Sequence, residues 1–114
     1  MAFSQMVLGL ATENRVLNAL QDETTRKPSW FKAAWKATEK QDRRGVDLFV
    51  LLDVGVLPVQ IKSSTTGRLE YEKKHRNSSV VVVVIRRYRD NQQIADAIFG
   101  TLGPHRITIL RRRT

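Results

Sequence analysis

The stretch Gly45-Val46-Asp47-Leu48-Phe49-Val50, followed by Pro58-Val59-Gln60-Ile61-Lys62-Ser63-Ser64, decides how this chain is read. It reads as two short strands, 46–53 and 57–63, joined by a turn around Asp53-Val54-Gly55-Val56. Side chains alternate along a strand, so Gln60 and Lys62 share one face while Val59 and Ile61 take the other. A hairpin centred between Val54 and Gly55 sets Asp47 directly opposite Lys62 on the same side. A carboxylate, an amide and an ammonium then converge at the open end of a hairpin that is otherwise mostly apolar.

Outward from this hairpin, Met6, Leu10, Val16, Leu17 and Leu20 recur at helical spacing and predict a helix over 4–21, with Ser4 able to cap it. A polar connector over 22–29 leads to 30–37. There Phe31, Ala33, Trp35 and Ala37 alternate with Lys32 and Lys36, as in a strand with one wet face; a short helix is the alternative. Residues 65–77 are polar and basic and read as a loop with a turn of helix. The unbroken β-branched run over 79–85 predicts a central strand buried on both faces. Asp90 and Gln93 form a capping box for a helix over 91–102, whose stripe is Ile94, Ala97, Ile98 and Leu102. Gly103-Pro104 reads as its stop, 106–110 as a last strand and 111–114 as a basic tail. The expectation is a single domain over 1–114, an α/β mixed sheet flanked by helices in the order α-β-β-β-β-α-β.

The 20 basic and 11 acidic residues leave a net charge of +9 and a pI near 10.7, a surplus that favours a polyanionic partner such as nucleic acid. With no cysteine, disulfides, zinc-thiolate sites and cysteine nucleophiles are excluded. Neither the apolar residues 6–10 nor the run 80–85 is long enough to span a bilayer, so the expected setting is soluble and cytoplasmic.

Glu13 completes the set. It lies three residues after Leu10 and three before Val16, which places a carboxylate on the core-facing stripe of the first helix. A buried carboxylate is costly unless paired or metal-bound. Glu13, Asp47 and the oxygen of Gln60 are hard ligands suited to Mg²⁺ or Mn²⁺, with a backbone carbonyl near Ile61 as a further oxygen. Lys62 is placed to orient a water or to neutralise charge developing on a phosphate. Asp42 reads as a turn residue. The clusters Lys73-Lys74-His75-Arg76 and Arg86-Arg87-Tyr88-Arg89 bracket the buried strand and suit phosphate contacts, with Ser63 and Ser64 as further hydrogen-bond donors. Trp30 and Trp35 read as core or interface residues.

These residues resemble the PD-(D/E)XK, or restriction-endonuclease-like, nuclease superfamily. The similarity is to its compact Holliday-junction-resolvase-like members. It rests on Glu13 in the opening helix, on Asp42-Arg43-Arg44-Gly45-Val46-Asp47, and on Gln60-Ile61-Lys62-Ser63-Ser64, and it spans residues 9–100 in element order. The resemblance implies magnesium-dependent cleavage of DNA, with Asp47 as metal ligand, Lys62 as catalytic lysine and a homodimer as the working unit. Gln60 stands where the family most often has Asp or Glu. Glutamine offers an oxygen but no charge, which lowers the expected metal affinity.

The expected function is therefore a metal-dependent DNA endonuclease, with Glu13, Asp47, Gln60 and Lys62 as the catalytic set. The alternative is an inactive nucleic-acid-binding module that keeps the nuclease fold. A third reading is an interaction domain whose positive charge meets an acidic protein.

Overall fold

A computed structural model describes residues 2–76, 78–86 and 90–113, and side chains from Thr12 onward. In chain order the elements are α1 (Ala2–Gln21), β1 (Phe31–Lys36), α2 (Glu39–Arg43), β2 (Leu48–Leu52), β3 (Gly55–Lys62), α3 (Thr65–Lys74), β4 (Val81–Val84) and α4 (Asn91–Arg113). The four strands form one open mixed sheet in the order β1-β2-β3-β4, with β1-β2-β3 antiparallel and β3 parallel to β4. This is the α/β sheet flanked by helices that the sequence leads one to expect, although the element order differs. Among the described residues no helix is long and apolar enough to cross a membrane.

The core lies on one face of the sheet. Leu48, Val50 and Leu52 of β2, Val59 and Ile61 of β3, and Val81 and Val83 of β4 pack there against Val16 and Leu20 of α1 and Ile94, Ile98 and Leu102 of α4. Each fully buried aliphatic side chain contributes roughly 1.5–3 kcal/mol, so this layer is the main stabilising force. Helix α3 lies across the other face, its Tyr71 reaching Gly45 and Lys62.

Four expectations are corrected. The hairpin turns at Asp53-Val54, with Leu52 opposite Gly55 and Leu48 opposite Val59, so Asp47 lies level with Gln60 rather than Lys62. Gly55 takes φ 122°, a conformation suited to glycine, directly after the turn. Moving a turn by one residue shifts each partner by two, which keeps every side chain on its expected face. Second, 65–74 is a full helix. Its sequence lacks an apolar stripe, with Tyr71 buried and Leu69 exposed. It is held instead by the Ser64 cap on the Gly67 N–H (3.0 Å) and an Arg68–Glu72 pair.

Third, the run of valines forms an edge strand among the described residues rather than a central one. It is nonetheless buried on both faces, because α3 and α4 cover it. Fourth, there is no strand over 106–110, and Arg111, Arg112 and Arg113 of the expected basic tail form the last turn of α4. The helix runs through Pro104, which removes one internal hydrogen bond. Contacts beyond the proline hold it: Ile109 packs on the core, Arg106 pairs with Asp53, and Arg113 donates to the Val54 carbonyl at 2.7 Å.

Candidate active site at the open end of the hairpin

The parallel pair β3/β4 ends with Lys62 opposite Val84, and the Ile85 N–H donates to the Lys62 carbonyl at 2.8 Å. Beyond these carboxyl ends, where open α/β sheets generally bind ligands, lies a cleft of about 970 Å³. Glu13, Asp47, Gln60, Ile61, Lys62, Ser63, Ser64 and Arg86 all border it, so eight residues singled out in the sequence meet in one place. Lys74 and His75 border a second depression of about 300 Å³ that shares Gln60 and Lys62 with the first. Lys73 and Arg76 are exposed and border neither. Arg87 and Arg89, with Tyr88, lie outside the described residues.

Asp47 is the most constrained of the set. It is only 5% exposed, its Oδ2 accepts the Ile61 N–H at 2.7 Å, and its own N–H donates to the Val59 carbonyl at 2.8 Å. Burial pushes its carboxyl up to about 8, the Ile61 N–H opposes the rise, and the carboxyls of Glu13 and Asp42 add to it. Glu13 is half-buried at the cleft rather than sunk in the core stripe, while Val16 and Leu20 on the same helix are fully buried.

Asp42 is the residue that sequence reasoning passed over. One carboxylate oxygen each from Glu13, Asp42 and Asp47 lie within 4.8 Å of one another. Asp42 reaches them from α2, a short helix fixed by a reciprocal cap: Gln41 N–H donates to Thr38 Oγ1 at 3.2 Å and Thr38 N–H to Gln41 Oε1 at 2.8 Å. The pattern Thr38-Glu39-Lys40-Gln41 is a capping-box signature, and it was the signal that could have found this helix. The chain leaves α2 through Gly45 at φ 91°, whose carbonyl accepts the Tyr71 hydroxyl at 2.7 Å. A Cβ on Gly45 would stand 2.6 Å from that hydroxyl, so glycine is required both for the turn and for the approach of α3.

Gln60 Oε1 is buried and has no hydrogen-bond partner among the described residues. Such an orphaned oxygen is costly in a folded protein. Lys62 extends alongside with its Nζ 5.4 Å from the centre of the Tyr71 ring, a cation–π contact that aims the ammonium. Ser64 serves as the cap of α3, and Ser63 borders the cleft. Three crowded carboxylates, an amide oxygen lacking a donor, and an adjacent ammonium form a set of hard oxygen donors with a cation beside them. The donor set fits Mg²⁺ or Mn²⁺, which would relieve both the carboxylate repulsion and the unpartnered oxygen. Comparison with protein-family models, with curated proteins and with solved structures gives no match to this chain.

Proposed function

We propose that this protein is a divalent-metal-dependent DNA endonuclease with a restriction-endonuclease-like fold. The observation that carries the reading is the buried, unpartnered Gln60 Oε1 in a cleft shared with Glu13, Asp47 and Lys62, with Asp42 joining the two carboxylates. Glu13, Asp42, Asp47 and Gln60 would hold Mg²⁺ or Mn²⁺. When bound, such an ion activates a water and offsets charge on a phosphoryl oxygen. The protein's own residues supply the rest. Lys62 and Arg86 draw a phosphodiester to the cleft, and the Lys62 ammonium stabilises the charge that grows on the phosphate as its bond to the leaving oxygen breaks. The hydrogen bond from Ile61 fixes Asp47, and α2 fixes Asp42, so the oxygens are positioned before any ligand arrives.

The net charge of +9 supports DNA as the polyanion, bound largely through phosphates. Cutting both strands needs two such sites, so the reading includes a homodimer. It also places the protein in the cytoplasm, in keeping with the lack of cysteine. The test incubates labelled four-way junction, duplex and single-stranded DNA with the protein in Mg²⁺ or Mn²⁺. Cleavage is expected to stop in EDTA and to fall roughly 10²–10³-fold in Asp47→Ala and in Lys62→Ala. Binding without cutting in either metal, unchanged in both variants, would replace this reading with a non-catalytic nucleic-acid-binding module.

A further inference from the structure

The second depression is bordered by residues of α2 and α3 and shares Gln60 and Lys62 with the main cleft. Because those two residues border both spaces, a phosphate resting at Lys62 would have this depression beside it. Its rim carries Arg43 and Lys74, and its wall carries Tyr71 and His75. The Tyr71 and His75 rings stack with centroids 4.2 Å apart and planes 24° from parallel. Tyr71 is locked by its hydroxyl bond to Gly45, whereas His75 is exposed, so the stack begins in the fold and ends in a ring open to solvent. Asp42 and Glu70 also border the space, so its lining sets two carboxylates beside the cations Arg43, Lys62 and Lys74.

We infer that this depression seats an unpaired nucleotide next to the phosphate held at Lys62, its base on His75 and its phosphate between Arg43 and Lys74. The inference rests on the DNA reading above and specifies the substrate class. Within a duplex both faces of a base are covered by its neighbours, so a platform of this kind is open only to a base that has left the stack. Stacking on an aromatic side chain tolerates any base, so the stack itself selects for an unpaired base rather than for a sequence. The preferred substrate carries an unpaired nucleotide at a gap, flap, bulge or branch adjacent to the bond.

The test measures binding by fluorescence anisotropy in EDTA, where no cutting occurs. One probe is an uninterrupted duplex, and the other is the same duplex with two unpaired nucleotides, one of them 2-aminopurine. The wild type is expected to bind the interrupted probe about tenfold more tightly and to quench the 2-aminopurine. His75→Ala is expected to lose both the preference and the quench, and His75→Phe to retain them. Lys74→Gln is expected to lower the slope of log affinity against log salt by about one for the interrupted probe. Equal affinity for the two probes, or a preference untouched in His75→Ala, would overturn the inference. The outcome separates from that of the nuclease reading: a protein that prefers the interrupted probe but never cuts would refute only the nuclease. One that cuts intact duplex equally well would refute only the unpaired-nucleotide seat.

Discussion

Two aspartates flank strand β2, six residues apart, and the protein treats them in opposite ways. Asp53 at the turn meets Arg106 of α4 in a two-pronged ion pair at 2.8 and 2.7 Å, and this holds its carboxyl below the usual range. The neighbouring Val54 carbonyl is satisfied by Arg113. Asp47 at the open end is buried beside two further carboxylates, is pushed up to about 8, and lies level with a glutamine whose oxygen has no donor. One end of the hairpin pairs its carboxylate with an arginine, and the other crowds three carboxylates together. Structural requirements explain the first end. The second crowds carboxylates at a cost that, on the proposed reading, a bound cation would offset.

Beyond the loss of cleavage expected for Asp47→Ala and Lys62→Ala, the contrast is sharpened by moving charge within the open end. Asp42 supplies the third carboxylate where Gln60 is neutral, so Asp42→Asn is expected to weaken Mn²⁺ binding about tenfold, read by electron paramagnetic resonance of the free ion. Gln60→Glu is expected to strengthen binding, and the double variant Asp42→Asn/Gln60→Glu to return close to the wild-type affinity. If Asp42→Asn leaves the affinity unchanged, the acidic cluster does not act as one unit and the comparison loses its functional side.

The second effect concerns stability against pH. Asp47 holds its proton more tightly folded than unfolded, where its pKa is 3.8. Between that value and about 8 the folded state therefore carries the extra proton, and stability falls as pH rises across this window in the absence of metal. Asp47→Asn keeps an acceptor for the Ile61 N–H and removes the titration. It is expected to flatten the slope and to stabilise the apo-protein at pH 8 by about 2 kcal/mol, a rise of several degrees in Tm. Parallel slopes for the two proteins would show that Asp47 ionises freely.

The sequence made the site more legible than the frame that holds it. Strand alternation placed Asp47, Gln60 and Lys62 on one face, and that survived a turn displaced by one residue because a shift of two in partner preserves parity. Glu13 was found because a charge interrupts a periodic apolar stripe. Asp42 was not, since the five residues of α2 bury none of their side chains and leave no periodic pattern, only a cap. Helix α3 was hidden for the same reason. At Pro104 the local rule pointed the other way, and contacts distant in sequence, from Arg106 and Arg113 to the hairpin tip, prevailed.

Those contacts carry the smallest expected effect, and it has the opposite sign. Asp53 is ionised more readily in the folded protein than in the unfolded chain. Its contribution is thus present above the unfolded pKa of 3.8 and lost as pH falls through the lower folded value. Asp53→Asn is expected to lower Tm modestly at neutral pH and to match the wild type in strong acid, where the wild-type pair is also neutralised. Because both partners lie at the surface, the loss is expected to shrink in high salt. Mn²⁺ affinity and DNA cleavage are expected to remain as in the wild type, since the tip and the cleft occupy opposite ends of β2. If Asp53→Asn weakened metal binding as Asp42→Asn is expected to, the two ends would be coupled through the strand, and the division between a structural end and a chemical end would not hold.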